Sequence, residues 1–362
     1  MKKLLFVHNS VPEYRLSFWR NLNKFVDLDI VITEKDVEQR IYNFQKDTNG
    51  LSINYWNNDS LNAVENYDAV VLPPIENLTN YKIALSIKRK CINNGIPFYY
   101  WTEKWLLDNS KRPFLKIIKD YVKSQMIKTA SRGSKRYIAS GSKARQYLIH
   151  QIDVSSNQIK IAYDSSTSTT ESKSINIRQK FNIPSNAKVI LFFGRLISRK
   201  GCMILIDAVN PILERNNCYL LIAGSGDQLQ LLEKAAKNNK RIIFAGKVQP
   251  AFRSDFYKQS DVFVLPSLYE KGVVEAWGLT INEALEFGLP VVTTDAVGAA
   301  YDLINSKNGI VVPNGCTIEL REAIETILKS NLINNREEIR QFYNANYSVD
   351  QMSDSFFKAI FE

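Results

Sequence analysis

Continuous apolar runs punctuate the C-terminal half of the chain at Val189–Phe193, Tyr219–Ala223, Ile242–Ala245, Val262–Leu265, Val291–Thr294 and Ile310–Val312. Runs without polar alternation are the mark of strands buried on both faces. Between and after them, apolar residues recur every three or four positions. That spacing predicts helices over Met203–Leu213, Leu229–Lys237, Ala251–Gln259, Ile281–Phe287 and Ile318–Leu328. The N-terminal half repeats the theme more loosely. Its predicted strands are Leu4–Val7, Asp29–Thr33, Ala69–Leu72, Phe98–Trp101 and Tyr137–Ala139, with helices near Leu16–Phe25, Tyr81–Asn93 and Pro113–Ala130. Strand–helix units in series imply α/β architecture: parallel, doubly wound, Rossmann-like sheets covered on both faces.

Between the halves, Asp164–Ile175 is dominated by Ser and Thr and offers nothing that would pack a core. The expected organisation is a first domain over 1–165, a linker over 166–186, a second domain over 187–345, and a C-terminal helix over 346–362 that can return to the first domain. Open parallel sheets bind ligands beyond the carboxyl ends of their strands. With two such domains facing each other, the cleft between them is the expected site.

A length of 362 residues agrees with two cores, and 45% apolar content with a soluble globular protein. No apolar run reaches the length of a membrane span. The opening Met-Lys-Lys-Leu-Leu-Phe-Val-His has too short an apolar run for a signal peptide and reads as the first buried strand. Cys91, Cys202, Cys218 and Cys316 are scattered, as expected of buried thiols in a reducing, cytoplasmic compartment. With His8 and His150 the only histidines, a His-based triad or multi-His zinc site is nearly excluded.

Charge changes the picture at one place. The net charge is +10, and the window Lys111–Arg145 holds eleven Lys or Arg against the single acid Asp120. Leu115, Ile118, Val122, Met126 and Ile127 recur there at roughly helical spacing, with Lys116, Lys119 and Lys123 interleaved. Such a segment suits a helix lying on an anionic bilayer, on the inner face of the membrane. It equally suits a core-packed helix with a solvated cationic face. No nucleic-acid motif accompanies the charge, so no nucleic-acid partner is expected.

The chemistry concentrates near Glu275 and Glu283, separated by seven residues. Thr280 and Glu283 fit a capping box, which predicts a helix starting beside Thr280 and stopping at Gly288. Glu275 then lies in the preceding loop, and Gly278 lets the backbone approach a ligand. Free amides at a helix N-terminus attract phosphate, and carboxylates accept hydrogen bonds from sugar hydroxyls. In isolation, the pair would more often be a cap and a solvated charge. Four more strand-end segments keep it company: Gly194-Arg195 through Arg199-Lys200-Gly201, Gly224-Ser225-Gly226, Gly246-Lys247-Val248 and Asp295–Asp302. Arg offers a diphosphate a bidentate fork and Lys a point charge.

As an ordered set, with Pro266-Ser267 and Gly288-Leu289-Pro290 added, these segments resemble the retaining glycosyltransferases of family 4, of bacterial glycan, capsule or lipopolysaccharide type. The resemblance covers residues 187–330 closely and the first half only in outline, through Pro12-Glu13-Tyr14-Arg15 and Ile138–Gly141. It implies the GT-B fold and transfer from a nucleotide-sugar donor to a glycan or lipid-linked acceptor. It further implies that Arg195 and Lys200 hold the donor diphosphate, Glu275 the transferred sugar and Glu283 the ribose. Gly194, Gly224, Gly226, Lys247, Val248, Gly278, Leu279 and Thr280 would complete the donor site. Asn9, Tyr14, Arg15 and Glu103 would face the acceptor. Where many members carry a His at the end of the strand that here reads Phe98-Tyr-Tyr-Trp101-Thr-Glu103, this chain has none, and Glu103 is the nearest polar candidate. Neither metal nor cofactor is expected, and Asp27-Leu28-Asp29 reads as structure. A non-catalytic partner subunit, or another GT-B enzyme acting on sugar nucleotides, remains the alternative.

Overall fold

The computed structural model describes residues 1–34, 48, 50–107, 109–167, 174–237 and 239–362. They form two compact units, Met1–Ser166 with Val349–Glu362, and Thr167–Ser348.

The first unit holds a seven-stranded parallel sheet in the order β3-β2-β1-β4-β5-β6-β7. Its strands are β1 (Lys3–His8), β2 (Asp27–Ile32), β3 (Ser52–Tyr55), β4 (Ala69–Val71), β5 (Phe98–Thr102), β6 (Arg136–Ala139) and β7 (Ile159–Ile161). The C-terminal helix Val349–Phe361 closes one face by packing on helix Glu13–Leu22. Phe356 meets Phe18 edge-on at 5.1 Å, and Tyr99 donates its hydroxyl to the Ile360 carbonyl at 2.6 Å. Asp29 lies within β2 and accepts from Tyr67 Oη at 2.9 Å.

The second unit holds a six-stranded parallel sheet in the order β10-β9-β8-β11-β12-β13. Its strands are β8 (Lys188–Phe193), β9 (Cys218–Ala223), β10 (Ile242–Gly246), β11 (Val262–Leu265), β12 (Val291–Thr294) and β13 (Gly309–Val312). In each sheet the order reverses beside the first strand, the topological switch point where open α/β sheets bind ligands. Cys91, Cys202 and Cys218 are buried thiols, and Cys316 is half-buried.

Two expectations need correction. Residues 174–186 are not a free linker. They carry helix Ile177–Lys180, and the Ile175 and Ile177 amides donate to Asp255 at 2.8 Å and Gln259 at 2.9 Å within the second unit. Nor is the Ser-rich segment wholly exposed, because Asp164, Ser165 and Ser166 are buried. Residues 168–173 of that segment lie outside the described residues.

Candidate functional site

In the second unit, the segments singled out in the sequence meet at the carboxyl edge of the sheet. Gly194 follows β8, and Gly224 follows β9 with φ of +145°. A Cβ on Gly224 would lie 1.8 Å from the Gly194 carbonyl oxygen, so only glycine lets the two loops touch. The Gly224 amide donates to Gly246 at 2.8 Å, which brings the Gly226 loop beside exposed Lys247 and half-buried Val248.

Helix Leu279–Glu286 starts after Gly278, whose φ of +99° turns the chain into it. Its first amides have no partner within the helix and face back along its axis. The loop before it is clamped: the Glu275 amide donates to Ala296 at 3.0 Å, and Gly298 donates to the Glu275 carbonyl at 3.0 Å. The segment Asp295–Asp302 thus braces the Glu275 loop. On Glu275 Oε2 converge Arg199 Nη1 at 2.7 Å and Lys200 Nζ at 2.8 Å. Burial opposes the charge on Glu275, but Lys200 and Arg199 outweigh it and hold the carboxyl below its ordinary range. Arg199 stands in the basic loop read from the sequence but was not singled out there as a site residue. Arg195 is exposed just after Gly194.

Glu283 departs from the expected capping box. The helix cap at Gly278 makes no side-chain bond, and Thr280 Oγ1 is buried with no hydrogen-bond partner among the described residues. Glu283 is only 2% exposed and turns into the unit. It accepts from Tyr257 Oη at 2.5 Å and pairs with Arg253 Nη2 at 2.8 Å. Arg253 in turn lies over the Phe193 ring at 4.9 Å, and Tyr257 stacks on Phe193 and Phe287. The helix Arg253–Lys258 therefore supplies two partners invisible to a local capping pattern. Leu279 is half-buried in the first turn.

A second polar cluster occupies the carboxyl edge of the first unit's sheet. Arg15, from the helix after β1, is fully buried and pairs with Asp164 and with Glu103, which directly follows β5. Its guanidinium also lies over Trp101 at 4.4 Å and Tyr14 at 5.0 Å. Burial works against the Arg15 charge, but Asp164 and Glu103 raise its pKa above the usual value. Burial, with Asp164 nearby, raises Glu103 to about 7 against the pull of Arg15. Asn9 sits half-buried after β1, its carbonyl accepting from the Glu34 amide at 2.9 Å. Asp164 carried no signal in the sequence because its Ser-rich surroundings conceal it.

His8, at the end of β1, was not a sequence candidate. Its Nδ1 faces the Ser10 carbonyl at 2.8 Å, and Trp19 meets its ring edge-on at 5.6 Å. Burial and then Arg15 lower its pKa from 6.5 to about 3. The unfolded chain therefore binds a proton below 6.5 that the folded chain refuses. Stability is full above 6.5 and falls as pH drops toward 3, by up to about 1.4 kcal/mol per pH unit from this one group. Urea unfolding at pH 7 and pH 5 is expected to differ by about 2 kcal/mol more in the parent than in His8→Gln. Equal pH dependence in both proteins would remove His8 as the source.

Residues 173–346, nearly all of the second unit, match the family described as Glycosyl transferases group 1. The uncharacterized glycosyltransferase MJ1607 of Methanocaldococcus jannaschii is 38% identical over 141 residues, which are 38% of this chain and 35% of that one. The phosphatidyl-myo-inositol mannosyltransferase of Mycobacterium leprae is 31% identical over 155 residues, 42% of this chain and 40% of that one. The chain thus spans well under half the length of these curated relatives. Among solved structures, Anabaena Alr3699/HepE in complex with UDP superposes with a TM-score of 0.75 at 16% identity, over 98% of each chain. The fold is GT-B, built from two Rossmann-like units.

Proposed function

We propose that this protein is a retaining glycosyltransferase of family 4 that moves a sugar from a nucleotide donor to a glycan or lipid-linked acceptor on the cytoplasmic side of the membrane. One observation carries the reading: Glu275 is held by Lys200 and Arg199 in a clamped loop just before a helix N-terminus. Without donor, the two cations and the carboxylate satisfy one another. A diphosphate would compete for Lys200 and Arg199 and for the amides after Gly278, releasing Glu275 to accept a sugar hydroxyl. The barrier then falls because charge building on the departing diphosphate meets donors already in place. Retention would follow if the leaving diphosphate also takes the acceptor's proton. Arg195, exposed beside Gly194, would complete the diphosphate site, and buried Glu283 would offer the ribose an acceptor positioned by Arg253 and Tyr257. Across the acceptor side, Glu103 is the group that could receive a hydroxyl, with Arg15 setting its position.

Uridine diphosphate sugars are the first donors to test, since UDP is the ligand of Alr3699/HepE. A lipid-linked acceptor has support from the name of the M. leprae relative. A panel of UDP-sugars should contain at least one that raises the unfolding temperature, with about 2.7 kcal/mol of stabilisation at a hundredfold excess over Kd. That donor should be hydrolysed slowly without acceptor, and nuclear magnetic resonance of a transfer product should show the anomeric configuration retained. Turnover should survive chelation, because Lys200 and Arg199 neutralise the leaving group in place of a metal. Binding without turnover would favour the partner-subunit alternative. Loss with EDTA that manganese restores, or an inverted product, would overturn the mechanism proposed here.

A further inference from the structure

Helix Phe114–Ser131 has two apolar faces. One packs inward through Ile127 and Ala130, with Asp120 and Ser124 buried beside them. The other carries Phe114, Leu115, Ile118, Tyr121 and Val122, which are between 45% and 73% exposed. At about 100° per residue these five cover an arc of about 120°, centred nearly opposite the buried set. Apolar residues scattered singly on a surface need no explanation, but five large ones within nine residues of one helix mark an interaction surface. The expected single stripe is thereby split: Leu115, Ile118 and Val122 face solvent, Met126 is half-buried and Ile127 is in the core.

The charge around this face says what covers it. The only acid in the window, Asp120, is buried and bound by Arg112 and Lys116, each at 2.8 Å. Lys119 is exposed at the border of the apolar arc, and Lys111 is exposed just before the helix. Two further lysines of the helix, Lys123 and Lys128, pair with the exposed acids Glu76 and Asp153 of neighbouring segments. The surface is therefore apolar at its centre, with Lys111 and Lys119 as the charges of its own segment that border the arc. A second copy of this chain would oppose like charges across such a face. A bilayer with anionic headgroups satisfies both features at once. Place in the fold adds to the argument. The helix begins at the carboxyl edge of the first unit's sheet, where Arg15, Glu103 and Asp164 gather.

We propose that the outward face Phe114–Val122 docks the first unit on an anionic lipid bilayer, with its apolar side chains inserted at the headgroup boundary and Lys111 and Lys119 against the lipid phosphates. Docking is read without donor or acceptor, so it stands or falls separately from the transferase reading. The test is flotation of the full chain with vesicles of phosphatidylcholine alone or mixed with phosphatidylglycerol. Binding should require phosphatidylglycerol and weaken steeply with added salt. Phe114→Ser/Leu115→Ser should raise the apparent Kd about tenfold or more, given the transfer free energies of such side chains. The unfolding temperature should not move, because both side chains are exposed. Lys119→Glu should weaken binding without altering vesicle-free behaviour. Equal binding to neutral vesicles, or no binding at low salt, would overturn the proposal. So would a dimer that the double variant splits, or a salt-sensitive complex with duplex DNA in place of vesicle binding.

Discussion

Lys200→Ala is expected to lower transfer turnover by about 10²- to 10³-fold at saturating donor, the loss typical of removing one preorganised stabiliser of developing charge. Lys200 is 7% exposed and its ammonium lies 2.8 Å from Glu275. Its position is thus set before any ligand arrives, which is the condition under which such a charge acts strongly. Arg199 would remain 2.7 Å from the same oxygen, so Glu275 keeps one counter-ion in the variant. The fold should accordingly survive, as circular dichroism and unfolding temperature would report. Arg199→Ala should reduce turnover less if Lys200 carries the main role, and Arg195→Ala tests the exposed cation of the same loop. Turnover of Lys200→Ala within about tenfold of the parent would be too small an effect for a diphosphate ligand. Glu275→Gln approaches the same site from its anionic member. It should impair turnover while leaving UDP binding intact, because the cations that would hold the diphosphate are untouched.

Arg15→Met is expected to destabilise the first unit by about 3–5 kcal/mol, the usual cost of removing one member of a buried ion cluster. Arg15 is fully buried between Asp164 and Glu103, with Trp101 beneath its guanidinium. Without it, two neighbouring carboxylates face each other with no cation between them. Urea unfolding at neutral pH reads the loss directly. Protonating the carboxylates removes their repulsion, so the deficit of Arg15→Met should shrink as pH falls. Combining Arg15→Met with Asp164→Asn should recover part of the stability, because it removes one of the stranded charges. An unchanged unfolding midpoint in the single variant would mean that the cluster contributes little to holding the unit together.

The fold class was legible because buried parallel strands must be apolar along their whole length, and Val189–Phe193 or Val262–Leu265 have no other comfortable home. Strands β3 and β7 escaped notice for the same reason. Ser52–Tyr55 is an edge strand with mostly exposed residues, and Ile159–Ile161 is three residues with an exposed Lys160, so neither leaves an apolar run to read. The capping box at Thr280 and Glu283 failed through a long-range competitor. Tyr257 and Arg253, more than twenty residues away, give the Glu283 carboxylate better-placed donors than its own backbone.

What the sequence by itself determined is the alternation of strands and helices, the glycines and cations at strand ends, and the concentration of charge in one window. These are local properties, set by periodicity and by residue chemistry within a few positions. Which charges meet was decided by tertiary structure alone. Arg15 finds Asp164 across 149 residues, and Glu275 finds Arg199 across 76. Such pairs form because parallel strands carry distant loops to one edge of a sheet, and a buried charge can only rest where another answers it. Tertiary structure also decided which side of helix Phe114–Ser131 looks outward. The sequence offers one apolar stripe, and only the packing of Ile127 and Ala130 against the unit divides it and leaves Phe114, Leu115 and Tyr121 to the solvent.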